Sequence, residues 1–245
     1  MNKNEMVINY FKSFGCGFIV CILIGVAIIY FGSDSGAAIA TGILFCIIGI
    51  AWCVFSAKKI VSDKQFDEIK NEYLENLKSV ARQKVDIDES ELIADCNVLV
   101  GPRLWNVGGA TVLHKQGDDK VLRYTPLNVT ILNYTANQLL SYTCVFDLTT
   151  GKALNETTDE FFYKDIVSVS TKTESKTYVT DDKKETLQLN AAEMFYLKTA
   201  GGNGIEIVLS DPTLAKEMGG GEFDKSGIDN MLQSIRRMLR EKKSG

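Results

Sequence analysis

His114 is the only histidine in the chain, so no two-histidine metal site can form, and a Ser-His-Asp constellation would need a nucleophile brought in from elsewhere. Flanked by Leu113 and Lys115 on an expected strand, His114 reads as a partly exposed side chain. Asp118 and Asp119, like Asp181 and Asp182, are adjacent acids in polar turns with lysines nearby. A general acid and base pair requires two carboxyls in unlike environments within a cleft, and these read as solvated turns. Neither the glycines at 201, 202 and 204 nor the run at 219–221 carries the Lys-Ser/Thr ending of a phosphate loop or the dinucleotide fingerprint. No Cys-x-x-Cys occurs among the six cysteines: Cys16, Cys21, Cys46 and Cys53 lie in an apolar quarter, and Cys96 and Cys144 read as free thiols in a reducing compartment. The Asn-x-Thr tripeptides at Asn128, Asn133 and Asn155 match the glycosylation pattern but would be silent in a cytoplasmic domain. The expectation is a protein that is not an enzyme and carries no cofactor and no metal.

Two segments have the chemistry of contact rather than catalysis. Residues 101–109 read Gly-Pro-Arg-Leu-Trp-Asn-Val-Gly-Gly and fit no periodicity. Trp105 there is either an aromatic anchor for a partner or a plug for an open end of the β domain. Near the end of the chain Arg236, Arg237, Arg240, Lys242 and Lys243 fall within eight residues. That cluster suits anionic lipid head groups or an acidic protein partner, and equally suits a solvated helix end, where cations favour the macrodipole.

Charge separates the elements that must carry these segments. Residues 1–59 contain Lys3, Lys12, Lys58 and Lys59 against Glu5 and Asp34, a net +2, while the whole chain is −4, leaving −6 on residues 60–245. An acidic main domain argues against nucleic acid as a partner. Residues 14–31 and 37–57 are charge-free apolar runs separated by five residues, and each approaches the roughly 20 residues that cross a bilayer. The expected element is a transmembrane helical hairpin over residues 1–57. Lysines flank its two ends and only Asp34 lies in the turn, which places both termini and the main domain in the cytoplasm. Small residues recur at spacings of four, as Gly17, Cys21 and Gly25 and as Ala38, Gly42 and Cys46. They allow close backbone approach, either within the hairpin or in a homo-oligomer.

Ser62 with Gln65 has the form of a capping box, and Phe66, Ile69, Tyr73, Leu77 and Val80 step at helical spacing. This predicts an amphipathic linker helix within residues 58–91. From about residue 92 the period becomes alternating and Thr, Val, Tyr and Phe are enriched, which predicts strands over residues 110–115, 121–134, 138–148, 160–173, 186–199 and 205–210. Gly- and Asp-rich turns between them make the sheet antiparallel. A final helix, which Ser226 can cap, carries Ile228, Met231, Leu232, Ile235, Met238 and Leu239 as one apolar stripe.

About six antiparallel strands closed by a C-terminal amphipathic helix, with FFYKDIVSVS at 161–170, resemble the bacterial pleckstrin-homology-like and GRAM-like domains. The resemblance covers about residues 93–243. It implies a membrane-anchored α+β protein: a two-helix hairpin, a linker helix, and over residues 92–245 a PH-like antiparallel barrel or sandwich with a capping helix. It departs from phosphoinositide-binding members where residues 134–138, taken as the first hairpin, read Tyr-Thr-Ala-Asn-Gln without a basic residue. The functional expectation is a non-enzymatic binding or scaffolding module at the inner face of the membrane. The alternative is a membrane-perturbing effector or small channel subunit gated by its cytoplasmic domain.

Overall fold

The computed structural model describes residues 1–12, 17–32, 35–57, 61–179, 186–224 and 228–244. The chain divides into two compact units, Met1–Phe66 and Asp67–Gly245.

The first unit is helical. Helix α1 (Lys3–Phe11) starts from a capping box in which Asn2 and Glu5 satisfy each other's backbone amides. Helices α2 (Gly17–Phe31) and α3 (Gly36–Ala57) pack against each other. Glycines form their seam, because a Cβ on Gly25 would lie 2.7 Å from the Gly42 carbonyl oxygen, and one on Gly42 would lie 2.6 Å from that of Gly25. The small residues therefore serve packing within the hairpin, while Val20, Leu23, Ile24, Leu44, Ile47 and Ile48 face outward, exposed. Among the described residues one helix, over Gly36–Val54, is long and apolar enough to cross a membrane, with a mean hydropathy of 2.4. Of the two expected spans this one is shown; α2 has 15 described residues, about 22 Å of helix against a hydrocarbon core of about 30 Å. Asp34, Lys58 and Lys59 lie outside the described residues.

The start of helix α4 (Asp63–Lys84) belongs to this unit and shows the expected cap, with Ser62 N donating to Gln65 Oε1 at 3.0 Å and Gln65 N to Ser62 Oγ at 3.3 Å. Tyr10 Oη donates to Asp63 Oδ1 at 2.7 Å, and the Tyr10 ring lies 4.5 Å from that of Phe66. These contacts hold α1 against the start of α4.

The second unit is α+β. Strands β1 (Ala94–Pro102), β4 (Leu127–Tyr134), β5 (Gln138–Asp147) and β6 (Lys152–Phe162) form an antiparallel sheet in the order β1-β4-β5-β6. Strands β7 (Ile166–Val179), β8 (Thr186–Thr199) and β9 (Gly204–Ser210) form a second, three-stranded antiparallel sheet, and β2 (Leu113–Gln116) pairs with β3 (Leu122–Thr125). Helix α5 (Pro212–Glu217) starts on Asp211, whose Oδ1 accepts from Leu214 N at 2.7 Å, and α6 (Ile228–Ser244) ends the chain. Of the expected barrel or sandwich, the closed barrel is corrected: among the described residues no ladder joins β6 to β7 or β1 to β9, so the sheets do not close on each other. β1 and β9 instead meet at Gly101, where a Cβ would lie 1.8 Å from the Val208 carbonyl oxygen. Backbone contact there takes the place of hydrogen-bonded pairing.

The central strands of both sheets are buried on both faces. Between them lies a core of Leu99, Leu132, Tyr134, Leu139, Phe195 and Leu197, closed by Leu232, Ile235 and Leu239 of α6. The other face of the first sheet carries Val129, Ile131, Tyr142 and Phe146, all buried. Residues 67–84 of α4 cover it, with Tyr73 5.6 Å from Phe146 and Lys84 3.1 Å from Glu156, which in turn accepts from Tyr142 Oη at 2.8 Å. The outer face of the second sheet carries Met194, Tyr196 and Val208. They pack with Trp105, Leu122, Leu214, Met218 and Phe223 from the connections around it.

Candidate functional site

Helix α6 separates its residues by function at helical spacing. Leu232, Ile235 and Leu239 are buried in the central core, and Ile228, Met231 and Met238 pack partly buried around them, which realises the expected apolar stripe. Ser226, the expected cap, lies outside the described residues. The opposite side of α6 forms a shallow groove of about 390 Å³ lined by Asn230, Gln233, Ser234, Arg236, Arg237 and Arg240. Arg236 is partly buried at its edge, where Nη2 donates to Thr171 Oγ1 of β7 at 3.4 Å, while Arg237 and Arg240 are exposed. Lys242 is partly exposed outside the groove, and the side chain of Lys243 lies outside the described residues.

Three of the five expected basic residues are therefore brought together, and with them three amide and hydroxyl side chains absent from the sequence-based expectation. The signal was present in the spacing: positions 230, 233, 234, 237 and 240 share one helix face. Three guanidinium forks beside neutral hydrogen-bond donors have the chemistry to meet an anion, with no general base or nucleophile among them.

Trp105 does not join this site. It is 3% exposed, stacks on Tyr178 at 4.3 Å with 27° between the rings, and has the Arg103 guanidinium carbon 5.4 Å from its ring centroid. Of its two expected readings, partner anchor or plug, this burial accords with the second: the residue packs on the outer face of the second sheet.

The other chemistry-bearing residues are structural in setting. His114 is exposed, and its Nδ1 lies 3.2 Å from the Met218 carbonyl oxygen. Asp119 holds Arg123, which is 5% exposed, through contacts of 2.8 and 2.9 Å, while Asp67 meets the same guanidinium at 2.7 and 3.1 Å. The hydrogen bonds from Arg123 hold the Asp119 carboxyl down at about 2. Burial pushes the Cys144 thiol up to about 12 and raises that of half-buried Cys96, so neither is an activated nucleophile. Cys21, Cys46, Cys53, Cys96 and Cys144 are free, and Cys16 lies outside the described residues, as do Asp181 and Asp182. Among the described residues no three His, Cys, Asp or Glu side chains gather to hold a metal ion.

Among the described residues this unit has further concavities. One of about 760 Å³ lies between α5 and the glycine turn, around Pro212, Lys216, Gly221 and Phe223. Another, of about 650 Å³, lies around Asp86, Glu91, Asn137, Leu140 and Phe162. The loop at 134–138 is the β4–β5 turn and not the first connection of the domain. The segment following β1 is the longer excursion that includes Arg103, the β2–β3 hairpin and Arg123. Comparison with protein-family models, with curated proteins and with solved structures gave no match.

Proposed function

We propose that this chain is a membrane-tethered, non-enzymatic binding or scaffolding module, anchored by the α2–α3 hairpin as two spans, with a PH-like domain at the cytoplasmic face. The α6 groove carries the reading, because it combines three arginines with three neutral donors on the exposed side of a helix whose other side completes the core. A four-stranded and a three-stranded antiparallel meander sharing a core with one C-terminal helix support the PH-like assignment. The apolar α3 supports the tether, and the lysines flanking the hairpin support the cytoplasmic orientation. Seam glycines occupied by packing within the hairpin weigh against the pore-forming alternative, which needs small-residue faces for assembly.

The test is made on the full chain in native membranes and in proteoliposomes. The expected result is retention in the membrane after alkaline carbonate extraction, digestion of a C-terminal epitope only when protease reaches the cytoplasmic side, and no ion leak. Release by carbonate would remove the tether, protection of the epitope would reverse the orientation, and a leak proportional to protein would favour the channel reading.

A further inference from the structure

We infer that the α6 groove is selective for a phosphomonoester, the doubly charged phosphate of a lipid head group such as that of phosphatidic acid. This rests on the tether reading above for the source of the phosphate, while the chemistry rests on the groove alone. Arg237 and Arg240 stand one turn apart on the exposed side of α6, and Arg236 is fixed at the groove's edge by its contact with Thr171. A guanidinium presents two parallel N–H groups that match two phosphate oxygens, so neighbouring forks can hold one phosphate from two sides. Gln233, Asn230 and Ser234 offer neutral donors to the remaining oxygens. A phosphodiester presents one charge and two free oxygens, whereas a phosphomonoester presents three free oxygens and loses its second proton near pH of about 6. The concentration of donors exceeds what a diester can use.

The rest of the chain selects a lipid as the source. Residues 60–245 carry a net −6, so a general attraction to anionic surfaces is absent and the groove must act locally. An apolar helix such as α3 would hold that groove at a bilayer, where a weak site sees head groups at high effective concentration.

Full chain in neutral detergent is titrated calorimetrically with dibutanoyl phosphatidic acid, dibutanoyl phosphatidylglycerol, inorganic phosphate and a phosphoserine peptide. Phosphatidic acid is expected to bind at least about tenfold more tightly than phosphatidylglycerol, and no more weakly than phosphate or the peptide, at pH 7.5, and to weaken severalfold at pH 5.5 as its second charge is lost. The R237Q/R240Q variant should lose this binding. R237K/R240K, which keeps charge but not the fork, should lose most of it. Equal binding of phosphatidic acid and phosphatidylglycerol, indifference to R237Q/R240Q, or absence of binding would overturn the phosphomonoester assignment. Tighter binding of phosphate or of the peptide would overturn the lipid source. Membrane retention of the same variants after carbonate treatment separates the two readings, because the tether can fail while the groove still binds in detergent.

Discussion

Gly101 shows how much of this fold depends on single atoms. A Cβ there would meet the Val208 carbonyl oxygen at 1.8 Å, and backbone on both sides leaves no flexible side chain to yield. Gly101→Ala is expected to destabilise the second unit by about 3 kcal/mol, seen as a lower Tm of the full chain in detergent by circular dichroism. Gly201→Ala, whose nearest neighbour would be Thr199 Oγ1 at 3.9 Å, should leave Tm unchanged. Asp119 gives a pH signature. Its folded pKa, about 2, lies below the ordinary value of about 4, so its stabilisation is complete above pH of about 4 and fades as pH falls toward 2. Because the Asp119 side chain is 46% exposed, solvent limits the effect to about 1 kcal/mol or less. Asp119→Asn should therefore lower Tm modestly at pH 7, with the difference closing by pH 2. A constant difference across that range would assign the effect to packing.

At the scale of elements, α6 and α4 are amphipathic helices with different degrees of legibility. The stripe of α6 was readable because its apolar residues recur without interruption, and Ile235 is fully buried as that pattern requires. Ile235→Asp would place an unpaired carboxylate in the core and should cost roughly 3 kcal/mol or more. A Tm unchanged from wild type would deny α6 its role in closing the core. In α4 the stripe was also visible, but it does not say what the stripe covers. Strands divided in the same way. β8 spans Thr186–Thr199, the range expected from its alternation, and β5 is close to its expected bounds. β6 was seen only at its end, because Asn155, Glu156, Thr157, Thr158, Asp159 and Glu160 are all exposed. An edge strand with little burial leaves little hydrophobic period to read. β3 and β4 were merged across Pro126, which cannot donate to a ladder.

Across the whole molecule, the two compact units divide at Phe66 and Asp67, inside α4 and well before the expected domain start at residue 92. The physical reason is the buried outer face of the first sheet: Val129, Ile131 and Tyr142 are each 0% exposed, and residues 67–84 supply the cover. A fragment of residues 62–245, which keeps the Ser62 cap, is expected to be soluble and to melt cooperatively. A fragment of residues 92–245 should expose the uncovered sheet face, bind a hydrophobic dye and aggregate. Equal melting of the two would show that α4 is dispensable.

The sequence alone determined the separation of an apolar, charge-poor N-terminal quarter from an acidic α+β remainder, the capping box of α4, the antiparallel strands with alternating burial and the two-sided character of α6. These follow from local periodicity, charge and turn chemistry, which a chain displays before it folds. Tertiary structure alone decided that the sheets meet at Gly101 without closing, that Trp105 is covered by Tyr178 and Arg103, and that Asn230, Gln233 and Ser234 share a groove with three arginines. Those outcomes depend on which distant segments occupy the same space, and no local pattern encodes the packing partner of a side chain.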